Sequence, residues 1–323
     1  MKRFLAAGLS ASMVLFAGFA AAQAYPAKQV RVIIPYAVGG GADAAARLVA
    51  DHLGRTLGQA FVVDPRPGGN TVIGAEAAAK APADGYTLFL TGASTMSIQP
   101  FVFQGKLPYD PLGDFAPVSM ISRFPFFLVV PSTLGVNTFA DFVAYVKARP
   151  GQLSYASNGS GGLGHLGTEM LRQALNLDLA HVPYKGFGPI LPDLLAGRVA
   201  AVMMDLAPLG SNARSGSVKF LAATSSGRSS FMPEVPTVAE LAIPGYEIDV
   251  WFALYAPAKT PVAIINLLNA EMRKYLGSPE AKEAYAKLGH EPMFSTPEYV
   301  RGRIVKEQKV FAPAVKAANL KPE

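Results

Sequence analysis

The sequence predicts an α/β protein built as two lobes. Three observations carry this. Strand-like and helix-like stretches alternate, in the order expected of a mostly parallel sheet covered by helices. The alternation runs twice, with a second series beginning near Pro125. Two long extended stretches, 117–130 and 246–257, are placed to run from one lobe to the other. Such a double crossing makes a hinge with a cleft between the lobes.

The first 24 residues stand apart from that pattern. Met1, Lys2 and Arg3 make a basic start, 4–20 is almost wholly apolar, and Ala22, Gln23 and Ala24 form an A-x-A cleavage pattern. This reads as a secretory signal peptide cut after Ala24, because the apolar run is short for a membrane span. The mature chain is expected in the periplasm. The sequence has no cysteine, which excludes a lipid-modified cysteine, disulfides and thiolate metal sites. Against 29 Lys and Arg stand 23 Asp and Glu, a mild basic excess. It suits an anionic small ligand, and is also ordinary for solubility. No basic run interleaved with aromatics suggests nucleic acid. Hydrophobic residues make up 50% of the chain, enough for two cores of ordinary domain size.

In the first series, QVRVIIPY at 29–36 reads as a buried strand, followed by VGGG at 38–41. Ala45, Leu48, Val49, His52, Leu53 and Leu57 then fall at helical spacing. A strand at 61–64 ends in PRPGG, a helix covers 72–80, and a third strand at 86–90 ends in TGAST at 91–95. In the second series a strand at 126–130 leads to a helix at 138–148, closed by Pro150 and Gly151. A strand at 153–156 precedes a glycine-rich stretch, after which Leu166, Met170 and Ala174 mark one helix face. Strands follow at 179–184, 199–204 and 218–224. Between the first two lies a helix at 189–195, whose Pro189 and Pro192 sit in the first turn, where N–H groups have no partner anyway. Beyond 246–257 come helices at 262–276, 279–288 and 297–318. The expected division is lobe 1 at 25–125 and 250–323, and lobe 2 at 126–249.

Ligands of open parallel sheets sit outside the carboxyl ends of strands. Here those ends are rich in glycine, serine and threonine: YAVGGG at 36–41, TGAST at 91–95, SNGSGG at 157–162, YKG at 184–186, and Asp205. Two of these loops open helices, near Ala42 and Gly164. A helix start offers unbonded N–H groups and a positive dipole end. One such loop per lobe would clasp an anion from two sides. Asp43 is expected to cap its helix rather than face the ligand.

Gly159, Gly161 and Gly164 also satisfy G-x-G-x-x-G. A dinucleotide site needs an acidic residue at the end of the next strand, and Asp178 precedes that strand instead. Ser160 is not in G-x-S-x-G, since position 158 is Asn. A secreted hydrolase using Ser160 and His165 is the alternative to a binding protein. The four histidines show no metal-ligand spacing, and only His165 is a site candidate. His52 is expected on a helix flank and His181 in the core or at its rim. No metal or cofactor is expected.

With these residues in place, the chain closely resembles the Bug-type extracytoplasmic solute receptors, the substrate-binding component of tripartite tricarboxylate transporters. The blocks that carry the resemblance occur in order along the mature chain: YPAK at 25–28 before VIIP at 32–35, GGGAD at 39–43, Ala46 and Arg47, VVDPRPG at 62–68 and ADGYTL at 83–88. They continue with SNG at 157–159 and His165, HVPYKG at 181–186, DLL at 193–195, PTVAE at 236–240, PGY at 244–246, and Ala256 with Pro257. The resemblance implies a type II periplasmic binding protein, a venus flytrap whose two crossover strands form the hinge. It implies capture of a small carboxylate through backbone N–H groups, delivery to membrane permease subunits, a monomer, and no catalysis. Carried onto this sequence, the first-lobe contacts are Tyr36, Gly40, Gly41 and Ala42, with Ser94 and Thr95 in the third loop. The second-lobe contacts are Ser157, Asn158, Gly159, Ser160 and Gly161, with His165, Tyr184 and Asp205. Gly92 and Ala93 replace hydroxyl residues usual in the family, and Leu206 follows Asp205 where Asn is common. Asp205 either meets a ligand ammonium group or caps the next turn. Lys185 either neutralises a second carboxylate or is solvated. Trp251 is expected to pack at the lobe interface.

Overall fold

The computed structural model describes residues 25–322; the expected signal peptide, 1–24, lies outside the described residues. The chain enters β1 (Val30–Ile34), α1 (Gly41–Leu57), β2 (Phe61–Pro65), α2 (Val72–Ala79) and β3 (Thr87–Gly92), then a π turn at Ser94–Ile98 and a short α3 (Gln99–Val102). β4 (Phe115–Pro125) and β5 (Phe127–Pro131) are separated only by Phe126. Next come α4 (Phe139–Lys147), β6 (Ser154–Ser157), α5 (Leu163–Leu175), β7 (Ala180–Pro183), α6 (Ile190–Leu195), β8 (Ala201–Met204) and β9 (Val218–Ala223). After α7 (Val238–Leu241) the chain closes with β10 (Asp249–Pro257), α8 (Val262–Leu276), α9 (Pro279–Ala286), β11 (Glu291–Pro292) and α10 (Pro297–Ala317).

These strands form two sheets, one in the order β11-β4-β10-β3-β1-β2 and one in the order β7-β6-β8-β5-β9. Strand β1 is parallel to β2 and β3, and β6 is parallel to β7 and β8, as strand-helix alternation predicts. The crossing strands do otherwise. β10 runs antiparallel to β3 and β4, and β5 antiparallel to β8 and β9. Each sheet is therefore mixed rather than mostly parallel, because each receives a strand arriving from the other sheet.

β1 is paired on both sides, with β3 and β2, in a sheet covered by helices, so Val30, Val32, Ile33 and Ile34 are all fully buried. In β5, where neighbouring side chains point to opposite faces, Leu128 and Val130 join a core continuous with the first sheet. Phe127 and Val129 pack into a smaller core with Val202, Met204, Ile190 and Leu194.

The TGAST stretch is not the loop the sequence suggests. β10 pairs Phe252 with Gly92, which carries the ladder of β3 past its expected end, and Ser94 then starts a helical turn. The second crossing is also shorter than expected, a regular strand only from Asp249.

The two crossings meet at Thr224, a fully buried residue. Its N–H donates to the Phe126 carbonyl at 2.9 Å, and its own carbonyl accepts from Ile248 N–H at 2.8 Å. Its hydroxyl accepts from Phe126 N–H at 3.0 Å and donates to the Ile248 carbonyl at 2.7 Å. One side chain thus ties the outgoing segment to the returning one. A second clamp lies on the lobe 1 side. Trp251, in β10, is fully buried and donates through Nε1 to Glu307 Oε1 of α10 at 2.7 Å. Ser97 Oγ donates to Glu307 Oε2 at 2.8 Å, and Arg303 reaches both Glu307 and Asp249. Burial pushes the Glu307 carboxyl above the usual carboxylate range, against the pull of Arg303.

Replacing Thr224 by Val leaves the shape nearly unchanged and strands the Phe126 N–H in the interior. The expected cost is about 1–3 kcal/mol in urea unfolding, recovered by Thr224→Ser, and a Val variant as stable as the parent would contradict the tie.

Candidate functional site

Two helix starts frame the cleft. α1 begins at Gly41 after Gly40, an N-cap in extended conformation with no side-chain cap. Asp43 does cap, but toward the loop: its Oδ2 accepts from Gly39 N–H at 3.1 Å and from Arg47 Nε at 3.1 Å. The first-turn amides of α1 are left without an intrahelical partner. α5 begins at Leu163 after Gly162, again extended and without a side-chain cap. The loop before it turns through Gly159 at φ 143° and Gly161 at φ 73°. At Gly161 only glycine fits: the φ is left-handed, and a β-carbon would lie 2.9 Å from Val102 of α3.

That contact is one of several across the cleft. Gln99 Nε2 donates to the Gly161 carbonyl at 3.4 Å, and Asn70 Nδ2 donates to the Ser160 carbonyl. Ser94 Oγ accepts from Leu163 N–H, the first residue of α5, at 3.2 Å. The second sheet's glycine loop is thus seated on polar side chains of the first lobe.

Beneath this loop lies a histidine pair. His165 and His181 stack with ring centroids 3.6 Å apart, and Tyr155 stacks on His181 at 5.0 Å. His165 Nδ1 accepts from Gly161 N–H at 2.9 Å. Ser157 Oγ lies 2.7 Å from His181 Nε2. Burial first, and His181 second, pushes the His165 imidazole down to about 4. Its neutral Nδ1 is the acceptor that shapes the loop. The Ser160–His165 hydrolase finds no support in this geometry, since that nitrogen is engaged by Gly161. Tyr155 hydroxyl donates to Glu169, which Arg172 also holds.

A different arrangement occupies the α1 side. Asp205 follows β8 and is 4% exposed; His290 precedes β11 and is fully buried. Their Oδ2 and Nε2 atoms are 3.9 Å apart. A β-carbon on Gly41 would lie 3.0 Å from Asp205 Oδ2 and 3.0 Å from His290 Nε2. Close approach of these two groups to the backbone, rather than φ, demands the glycine there.

The structure brings Gly41 to Asp205, and Ser94 to the start of α5. Gly40 and Ala42 flank Gly41 at that helix start. Tyr36 hydroxyl meets Thr91 Oγ1 at 3.3 Å, and Thr91 meets Thr95 Oγ1 at 2.6 Å, a hydroxyl chain inside lobe 1. Burial pushes the Tyr36 phenol up. Ser157 turns inward to His181, while Asn158 keeps a buried Oδ1 with no hydrogen-bond partner. Tyr184 donates instead to Asp193 Oδ2 at 2.6 Å, within lobe 2. Lys185 is exposed. His52 stacks on Tyr275 beside Glu271, away from these loops. Sequence reasoning missed Asn70, Gln99 and His290. Asn70 had a local signal: it follows Gly68 and Gly69, and adopts φ 49°, a conformation asparagine tolerates. Gln99 and His290 carry none.

Two α/β lobes, a double crossing and two uncapped helix starts beside one cleft define the class: a periplasmic solute-binding receptor. The chain belongs to the tripartite tricarboxylate transporter family receptors, which it matches over residues 45–320. It is 38% identical over 322 residues to protein BugT of Bordetella pertussis, across 99% of both chains. Among solved structures, R. palustris Rpa4515 with adipate shares 34% identity at a TM-score of 0.87, covering 93% of this chain and 100% of that one. MatC from Rhodopseudomonas palustris, with bound malate, shares 28% identity at a TM-score of 0.81, covering 90% and 100%.

The histidine pair makes the fold acid-sensitive. An unfolded imidazole takes up its proton near the ordinary 6.5, the folded His165 only near 4, so between these values the unfolded chain alone binds it. Stability contributed by this group falls as pH drops through that window. Between pH 7 and 5 the expected loss is about 2 kcal/mol in urea unfolding. A His165→Asn variant, whose amide oxygen can still accept from Gly161, should lose that much less; an equal loss in both proteins would contradict the assignment.

Proposed function

We propose that this chain, cut after Ala24, is a periplasmic receptor that captures a small carboxylate between its lobes and hands it to membrane permease subunits. It acts as a monomer and catalyses no reaction. The observation that carries the reading is the pair of glycine-led helix starts, α1 and α5, each set against the opposite lobe: Gly41 lies beside Asp205, and Gly161 beside Val102 and Gln99. Each such terminus favours an anion by about 0.3–1 kcal/mol where exposed, and by more where water is excluded. Rpa4515 and MatC, solved with adipate and malate, are relatives with a carboxylate bound, which fits this reading.

In the proposed division, lobe 1 is 25–125 with 250–323, and lobe 2 is 126–249. The ligand's carboxylate is held by amides of Gly40, Gly41 and Ala42 from one side and by the loop around Asn158 and Ser160 from the other, where the Gly159 and Gly161 amides, bonded to Ser157 and His165, fix the loop's shape. Ser94 supports the second loop. Thr95 holds Tyr36 in place through Thr91. Ser157 and His165 position the second loop, and Tyr184 braces the edge strand beside it. Because the ligand touches both lobes only when they are together, it favours the closed arrangement.

The mature chain, screened by thermal shift against dicarboxylates, tricarboxylates, amino acids and aromatic acids beside a generic ester, should gain stability with its ligand and turn over no ester. The gain is about 2.7 kcal/mol at a hundredfold excess over Kd. Gly161→Ala, which forces a left-handed φ and crowds Val102, should keep its fold by circular dichroism and lose most of the ligand response. Ester turnover abolished by Ser160→Ala would reverse the conclusion.

A further inference from the structure

Most polar groups around the cleft are satisfied within the protein; those beside Gly41 are not. His290 is fully buried, with its ring stacked flat on Phe124 at 3.8 Å, and neither ring nitrogen has a hydrogen-bond partner among the described residues. Asp205 Oδ1, across the cleft, has none either. At 3.9 Å, Asp205 Oδ2 and His290 Nε2 are too far apart to bond directly. Asn158 Oδ1, one residue past β6 and close to Gly162 at the start of α5, is a second buried oxygen without a donor.

The inventory of these groups is lopsided. A carboxylate only accepts, with two oxygens and several lone pairs, while an imidazole has two ring nitrogens and so at most two N–H groups. Acceptors exceed donors, and buried acceptors left unpaired are costly. An anion on the α1 amides would also stand beside the Asp205 carboxylate, where two negative groups repel. A ligand that brings its own N–H or O–H next to its carboxylate answers both problems. We infer that Asp205 and His290 form a specificity-determining pair. They select carboxylates bearing an ammonium or hydroxyl group on the adjacent carbon over plain acids of the same skeleton. The packing around the pair supports this: Leu206 sits 3.2 Å from where a Gly289 β-carbon would be, and Ser230 Oγ donates to Glu291 at 3.0 Å, so the His290 segment is held against lobe 2.

The inference rests on the carboxylate reading of the same cleft, and calorimetry on the mature chain separates the two. Three matched sets serve as probes: aspartate, malate and succinate; glutamate, 2-hydroxyglutarate and glutarate; alanine, lactate and propionate. In the set that binds most tightly, the amino or hydroxy acid should exceed its plain counterpart by about tenfold or more, the scale of one hydrogen bond to a charged group. The amino and hydroxy members tell which donor the pair prefers. Asp205→Asn should shrink that ratio to about threefold or less, and so should His290→Phe, which keeps the stack on Phe124 and removes both nitrogens. A plain acid that binds as well as its substituted partners overturns the inference and leaves the carboxylate reading standing. So does a ratio unchanged in both folded variants. No binding by any of the acids removes the carboxylate reading and this inference with it.

Discussion

The double crossing at Thr224 is the constraint on which the rest of the molecule depends. Two sheets with separate strand orders are joined only where β4 passes into β5 and where the chain returns from β9 to β10. Thr224 bonds through its backbone and its hydroxyl to Phe126 on one crossing and Ile248 on the other. Both crossings are thereby bound to one residue. A tie of this kind suits hinge rotation, the motion that opens and shuts a cleft. Loops at the carboxyl ends of β1 and β6 lie on opposite sides of that cleft, so hinge geometry decides whether α1 and α5 present their starts to the same ligand.

Recognition by backbone amides has a consequence for selectivity. Amides at a helix start respond to negative charge and hydrogen-bond geometry, and any small carboxylate supplies both. The cradle therefore accepts a class, and discrimination inside the class must come from side chains that reach the ligand beyond its carboxylate. The described structure offers few of them. Gln99, Asn70 and Ser94 are committed to loop carbonyls and amides across the cleft, and Tyr36 to the hydroxyl chain of lobe 1.

Much of this was legible in the sequence, for definite reasons. Helix-period apolar spacing from Ala45 to Leu53 and the buried run 30–34 are strong local signals, and α1 and β1 sit where they put them. The glycine loops were legible because a helix start after glycine has a chemistry independent of context. The turn at Ser94–Ile98 was not, since β3 continues through Gly92 only because β10 lies beside it, and that pairing joins residues far apart in the chain. Direction was misjudged for the same reason: alternation predicts parallel neighbours, while β5 and β10 enter their sheets from the other lobe. His290 was read only against metal-ligand spacings, which it fails. Its position beside Gly41 and Asp205 depends on the fold of the C-terminal segment, and nothing near it in sequence announces that.

The two histidine environments show how positioning and recognition differ physically. Below the second loop, the histidine network closes on the protein: Gly161 N–H has His165 Nδ1, Ser157 Oγ has His181 Nε2, and Tyr155 hydroxyl has Glu169. A network closed in this way holds a backbone shape and gains nothing further from a ligand. Beside Gly41 the polar groups are as deeply buried, yet Asp205 Oδ1 and both nitrogens of His290 go unmatched. Burial without partners costs free energy, and a ligand that supplies the missing partners recovers it. By that criterion the first loop, framed by Gly41, Asp205 and His290, is where the receptor reads its ligand, and the second, seated on its histidines, is where it grips.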